Sequence, residues 1–221
     1  AALCRKVGTS CAEMRDAEML DWCAKGLTAD DVATLGTLLH WTPRLEVLWL
    51  HENSLGDAGM QALCEGMGCG AAPSLRSLVL ATNQFGPAGA EALAAALRGG
   101  AMPKLQELFL GENPIGKQGV AALGAPLRML PALKVLDLYN CNIGDEGVAT
   151  LVADLGKEDF KALEALWLAN NEITDAGMVK MVAAIDAGGL PKLVDHDYFL
   201  KNNAATAASV KVVVDALAKR S

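Results

Sequence analysis

The 221-residue chain has few aromatic residues, few histidines and no excess of basic side chains. Aromatic residues make up only 5% of the chain, so its core cannot depend on a few large rings. Lys and Arg number 19 against 26 Asp and Glu, and the resulting charge of −7 argues against a nucleic-acid binder, whose surface is normally basic. No apolar run reaches the roughly 18 residues needed to span a bilayer, so we expect no membrane span.

The residues that are present indicate a folded protein of a reducing compartment. Hydrophobic residues make up 52% of the chain, which excludes intrinsic disorder. The six cysteines do not follow zinc-binding spacings, and a chain of this length does not need disulfides, so free thiols and an intracellular, cytoplasmic location are expected. No charged segment followed by an apolar one predicts a secretory signal, although an organelle location after removal of a leader stays an alternative.

A repeated pattern organises most of the sequence. The pattern L-x-x-L-x-L-x-x-[N/C]-x-[L/I/F]-[G/T] begins at Leu45, Leu75, Leu105, Leu133 and Leu163. A weaker copy begins at Ala17. At the other end, Tyr198–Asn203 aligns with Leu166–Asn171 if the last copy holds a two-residue insertion between Leu193 and Tyr198. Divergence at both ends is typical of repeat proteins, because terminal repeats lose one neighbour.

Each copy resembles a leucine-rich repeat, and the tail from Gly56 to Leu63 resembles the ribonuclease-inhibitor-like subfamily. The resemblance implies an α/β horseshoe-shaped solenoid, with a parallel sheet on the concave side and helices on the convex side. Residues 17–218 would then form about seven repeats, the last one degenerate. Residues 1–16 would form an N-terminal capping segment whose helix begins after Ser10. We expect Trp22 and Trp41 to pack at this end.

The ninth position of the pattern predicts a buried polar ladder. Because an unpaired buried polar group costs about 1–3 kcal/mol, these side chains should bond the backbone groups that each turn leaves open. Cys141 takes the same position as a small, weak donor, so we interpret it as structural. The asparagines of the predicted ladder are Asn53, Asn83, Asn113 and Asn171.

Two segments resemble a phosphate-binding loop and an acid–base pair, but neither predicts such a site. Gly111–Gln118 has the glycine and lysine spacing of a phosphate-binding loop, but Gln118 lacks the hydroxyl that holds magnesium. His51 lies beside Glu52, and we interpret it as a solvated residue at a strand end because no nucleophile is in reach. No two histidines share a repeat position, which predicts no metal site. We therefore predict a non-enzyme without cofactor or small-molecule substrate.

The outward positions of the strands carry the candidate partner-binding residues. Four of the seven residues at position five are aromatic, and a cluster of exposed rings usually marks a partner site. Acidic residues outnumber basic ones at the outward positions, which favours a partner with a basic surface. The predicted partner-binding residues are Trp49, Phe109, Trp167, Phe199, Tyr139, Asp137, Glu52, Glu112 and Asp21.

These features predict a non-catalytic protein–protein interaction module that binds a basic protein partner on its concave face. The resemblance leaves two alternatives open. One is a regulator of an enzyme, such as a GTPase activator or an enzyme inhibitor, and it rests on family membership alone. The other is a structural subunit of a large complex, which the Ala-rich helix over 88–97 would permit by close packing.

Overall fold

Short strands and helices alternate through most of the chain, of which the computed structural model describes residues 2–156, 158–194 and 198–219. Two short helices come first, α1 (Ala2–Val7) and α2 (Cys11–Asp16). The strands are β1 (Met19–Asp21), β2 (Val47–Trp49), β3 (Ser77–Val79), β4 (Glu107–Phe109), β5 (Val135–Asp137) and β6 (Ala165–Trp167). The remaining helices are α3 (Ala29–Leu38), α4 (Gly56–Gly66), α5 (Pro87–Arg98), α6 (Gly116–Arg128), α7 (Gly144–Val152), α8 (Asp175–Asp186) and α9 (Ala207–Ala218). A 3-10 turn, Leu39–Trp41, follows α3.

The six strands form one open parallel sheet in the order β1 to β6. The register places the same repeat position of each copy side by side, so Leu48 lies between Leu20 and Leu78. From α3 to α9, each helix packs on the next one. The predicted α/β solenoid is therefore confirmed, and the sheet does not close on itself.

Inward leucines from every repeat form one continuous core between the sheet and the helices. Leu45, Leu48 and Leu50 supply three of them in the second repeat, and all three are fully buried. Burying one such side chain contributes about 1.5–3 kcal/mol. A single repeat has too few of these residues to fold alone, so each copy depends on its neighbours.

The predicted polar ladder is present and buried. Asn83 represents the ladder in the third repeat. The Asn83 Nδ2 donates to the carbonyl oxygens of Leu50 (3.0 Å) and Leu80 (2.9 Å), while the Asn83 Oδ1 accepts the N–H of Asn53 (3.0 Å). The Cys141 Sγ makes a weaker contact of 3.4 Å with the Leu110 oxygen. Asn203 continues the ladder into the last repeat by accepting the N–H of Asn171 at 2.9 Å.

Acidic residues near the helix starts also cap the helix of the next repeat. Asp57 Oδ1 accepts the N–H groups of Gly86 and Gly89, both at 2.7 Å, at the start of α5. Asp145 accepts the N–H of Thr174 at 2.8 Å before α8. Because the first N–H groups of a helix have no partner within it, these carboxylates stabilise two repeats at once.

The N-terminal segment is tied to the first repeat. Ser10 caps α2, as predicted, in a reciprocal pair of hydrogen bonds with Glu13. Lys6 pairs with Asp31 of α3 at 2.5 Å. Trp22 is 1% exposed and packs as expected, but the expectation for Trp41 is wrong, because its side chain is 72% exposed. In the 3-10 turn, Leu39 is the buried residue and Trp41 faces solvent.

The last repeat departs from the others. Residues 198–200 form no strand, and the N–H of Leu168 contacts the carbonyl oxygens of both Tyr198 (3.1 Å) and Phe199 (2.9 Å). Most of the predicted insertion, with His196, lies outside the described residues. Among the helices that the structure describes, none is long and apolar enough to cross a bilayer.

Candidate functional site

The side of the sheet opposite the helices is called the sheet face here, and its side chains come from the outer positions of the three-residue strands. In β2, β4 and β6 the middle Leu is buried, while Trp49, Phe109 and Trp167 at the next position are partly exposed. Successive side chains of a strand point to opposite faces, so the buried leucines direct these three rings outward. The orientation predicted for Trp49, Phe109 and Trp167 is thus present.

Four aromatic residues form a contiguous ring cluster on the C-terminal half of the sheet face: Phe109, Tyr139, Trp167 and Tyr198. The Phe109 and Trp167 centroids lie 5.6 Å apart in an edge-to-face arrangement. Tyr198 contacts Trp167 at 5.4 Å and Tyr139 at 6.1 Å. Asn170 Nδ2 donates to the Tyr139 hydroxyl at 2.7 Å. Such ring pairs contribute about 0.5–1.5 kcal/mol beyond burial, so the rings hold each other in place.

The prediction that Phe199 faces a partner is wrong. Its side chain is fully buried, and the preceding residue, Tyr198, is 51% exposed and completes the ring cluster. The alignment assumed that this segment continues the sheet, so that side chains alternate as they do in β6. Because residues 198–200 form a turn and bends instead, the alternation fails and the ring that faces outward is shifted by one residue.

Trp49 lies apart from the ring cluster. Val79 separates it from Phe109 along the same row of the sheet. Its ring instead contacts the His51 imidazole edge-on, with centroids 6.1 Å apart. The sheet face therefore has two separate groups of side chains, one around His51 and one around Trp167.

Asp137 is buried under the ring cluster and is only 6% exposed, so the prediction that it faces a partner is wrong. It lies on β5, directly between Phe109 and Trp167 on the flanking strands. Strands are about 4.8 Å apart, so the two rings must lean toward each other across Asp137 to come within 5.6 Å. Its carboxylate accepts the N–H of Tyr139 at 2.8 Å.

The environment of Asp137 makes its carboxyl easier to protonate than an exposed one. Burial raises the pKa of Asp137 to about 6, and the nearby Glu112 charge acts in the same direction. Hydrogen bonds from the N–H groups of Tyr139 and Gly111 oppose the rise in pKa without cancelling it. Gly111 is required beside this carboxyl, since a Cβ there would lie 2.6 Å from Asp137 Oδ2.

Fewer acidic side chains of the sheet face are available to a partner than the sequence predicted. Glu18 pairs with Arg44 at 2.5 Å, and Glu46 pairs with Arg76 at 3.4 Å. Of the four acids predicted to bind a partner, Asp137 is buried and the other three are exposed. Asp21 accepts the N–H of Cys23, and Glu112 accepts the Thr82 hydroxyl; the third is Glu52.

Sequence reasoning missed a cluster at the N-terminal end of the sheet face. Candidate ligand atoms of Cys23, His51 and Glu52 all lie within 4.8 Å of one another. The signal was present in the sequence, because Cys23 precedes His51 by 28 residues, which is a repeat length. Cysteine spacings along the chain and shared positions of two histidines both fail to reveal it, because the cluster pairs a cysteine of one repeat with a histidine of the next.

Comparison with known families identifies the repeats. The family described as "Leucine Rich repeat" matches residues 71–94, 101–124, 131–152 and 162–182. Each match covers a strand, its turn and part or all of the following helix, from β3 to β6. No curated protein matches the chain.

Proposed function

Since four segments of the chain match the leucine-rich repeat family, whose members generally mediate protein–protein interaction, we propose that it binds a protein partner on its sheet face. The repeats of 28–30 residues and their Gly56–Leu63 type of tail favour the ribonuclease-inhibitor-like subfamily. The six free cysteines favour a reducing, intracellular compartment.

The ring cluster is the observation that carries this proposal. Aromatic rings that contact one another and remain partly exposed offer a partner a large apolar area at a small cost in side-chain entropy. Tyr198, which is half exposed, gains most from burial under a partner. Trp167 lies at the centre, in contact with Phe109 and Tyr198, and is the expected anchor.

The charge around the rings favours a partner with a basic surface. Glu112 is exposed on the turn that follows β4, close to the ring cluster, and Asp21 and Glu52 extend the acidic area toward β1. Rim charges of this kind accelerate association and select against acidic partners. The association rate should therefore fall as the salt concentration rises.

The test compares variants of the full chain in partner capture from lysate of the source cell, with quantification by mass spectrometry. Trp167→Ala and Tyr198→Ala should each lose the partners that the parent captures. Loss of a central anchor costs about 2 kcal/mol, or roughly 30-fold in affinity. Trp41→Ala is the matched control, because it removes a 72% exposed tryptophan outside the sheet face. Equal recovery by the parent and by both sheet-face variants, with their unfolding unchanged, contradicts binding at this surface.

The identity of the captured partner separates the alternative functions. A GTPase whose hydrolysis rate changes when the purified chain is added would indicate a regulator of an enzyme. Recovery in a fixed ratio with several other chains, at a native mass far above the 23.0 kDa of one chain, would indicate a structural subunit.

A further inference from the structure

We propose that Cys23, His51 and Glu52 bind a divalent transition-metal ion of the zinc class at the N-terminal end of the sheet face. Thiolate, imidazole and carboxylate are the three ligand types that zinc takes in proteins. Three protein ligands leave a fourth position to water or to another donor.

The fold brings the thiol and the imidazole together. Cys23 and His51 occupy the same position in the first and second repeats, just after β1 and β2, whose last residues pair as Asp21 and Trp49. The N–H of Ala24 donates to the His51 oxygen at 3.1 Å, so the two turns continue the parallel pairing beyond the strands. The side chains of Cys23 and His51 thus project from neighbouring backbones.

Glu52 completes the cluster. Its φ is 60°, the left-handed conformation that Thr82 and Glu112 also adopt at this repeat position, and its carboxylate lies beside the thiol and the imidazole. Candidate ligand atoms lie within 4.8 Å of one another. Zinc–ligand bonds are about 2.0–2.3 Å long, so the ligand atoms of a tetrahedral site lie about 3.5 Å from one another. Side-chain rotations that move these atoms by about 1 Å would complete the site.

His51 has an unused polar atom in this cluster. Its Nδ1 is buried and lacks a hydrogen-bond partner among the described residues, while the ring is held edge-on against Trp49. A buried polar atom without a partner costs about 1–3 kcal/mol. Rotation of the imidazole toward an ion would give a ring nitrogen a bonding partner that the metal-free chain does not supply.

The local charge also suits a cation. Two carboxylates, those of Glu52 and Asp21, lie near the Cys23 thiol, against the single positive charge of Lys25. A bound divalent ion would offset this excess of negative charge. The ion displaces the Cys23 proton to solvent as the metal–sulfur bond forms.

The corresponding positions of the later repeats offer no similar set. Where Cys23 and His51 stand, the next four copies carry Ala81, Gly111, Tyr139 and Ala169. Within the described residues, the Cys23–His51–Glu52 cluster is therefore confined to the first two repeats.

The experiment titrates the full, reduced chain with Zn²⁺ alone against a competing chelator, and with Co²⁺ as a spectroscopic substitute. We expect one ion per chain and a thiolate-to-Co²⁺ charge-transfer band in the near ultraviolet. Cys23→Ser should abolish that band, and His51→Gln should weaken Zn²⁺ binding by more than the roughly 10–100-fold that loss of an outer-sphere partner causes. Both residues are partly exposed, so the variants should fold, which circular dichroism checks.

Two controls separate this site from adventitious binding. Glu52→Gln should weaken Zn²⁺ binding, whereas Glu112→Gln, the same change at the same repeat position, should not. Cys11→Ser disrupts a separate pair of thiols, since the Sγ atoms of Cys4 and Cys11 lie 3.3 Å apart, and it should leave binding unchanged. The proposal is overturned if the chain binds no Zn²⁺, if Cys23→Ser binds within twofold of the parent, or if Cys11→Ser alone abolishes binding.

Discussion

Replacing Asp137 with Asn tests whether this carboxyl is buried beneath the rings of Phe109 and Trp167. The Asn Oδ1 can still accept the N–H of Tyr139, which bonds Asp137 at 2.8 Å. The Asn amino group would face the Gly111 N–H, which now donates to the carboxylate. Two donors would then meet, at a cost of about 1 kcal/mol.

The expected gain in stability of Asp137→Asn comes from removing a charge that the folded state disfavours. The pKa of Asp137 is about 6 in the folded chain, against about 3.9 in an unfolded one. A rise of about two units corresponds to about 3 kcal/mol. Because the folded-state pKa is the higher one, the contribution of Asp137 to stability is complete below about pH 4 and is lost as the pH rises through about 6.

Urea unfolding of the parent and Asp137→Asn measures this difference directly. We expect equal stability at about pH 4.5 and an advantage of about 2 kcal/mol for the variant at about pH 8. Asp21→Asn is the matched control, since Asp21 accepts the N–H of Cys23 in the same way but is exposed. The reasoning would be refuted if the difference in unfolding free energy between Asp137→Asn and the parent stays constant with pH. It would also be refuted if the difference for Asp21→Asn grows with pH by the same amount.

Three further predictions concern the interior. Asn113→Ala should lower the free energy of unfolding by at least about 2 kcal/mol in urea, because buried carbonyl and N–H groups of two repeats lose their partner. Gly111→Ala should destabilise by about 1–3 kcal/mol, and the same change should cost little in a chain that already carries Asp137→Ala. The Cys141 thiol, whose pKa burial raises to about 12, should react with iodoacetamide far more slowly than exposed Cys69, as mass spectrometry of the alkylated peptides would measure.

Matched variants check each of these reasons. Asn140→Ala removes an exposed amide next to the ladder, at a position whose φ of 51° suits Asn better than Ala, so it should cost no more than about 1 kcal/mol, well below the loss for Asn113→Ala. Gly124→Ala adds a Cβ in a helix where nothing lies within 4 Å, and should be neutral or stabilising. A loss for Gly124→Ala as large as for Gly111→Ala would contradict the steric explanation. Equal alkylation rates for Cys141 and Cys69 in the folded chain would contradict burial of the ladder.

The fold could be predicted from the sequence because the repeat specifies register at many places at once. Each strong copy places its second Leu at the middle of a strand, and Leu48, Leu78 and Leu108 lie side by side in the sheet as aligned. The ladder residues fix the turns in the same way. A local error in one copy cannot shift its neighbours, because every copy carries its own leucines and its own Asn or Cys.

The candidate site was harder to predict because it depends on contacts between copies. The alternation rule gives the side to which Asp137 points, but it does not reveal that rings from the two flanking strands meet above it. The same rule misplaced Phe199, since it holds only where a strand exists. A single degenerate copy does not carry enough pattern to show that its strand is absent.

The core and the proposed binding surface use different positions of each repeat, and this separation determines how side chains meet on the sheet face. The Leu and Asn positions repeat because each must fit the same backbone, whereas positions five, seven and eight are free to vary. Parallel pairing places equal positions of adjacent copies next to each other, so Cys23 meets His51 one repeat away, and Phe109 meets Trp167 two repeats away. A site in this sheet is therefore encoded by residues one or two repeat lengths apart, and a search for contiguous motifs does not detect it.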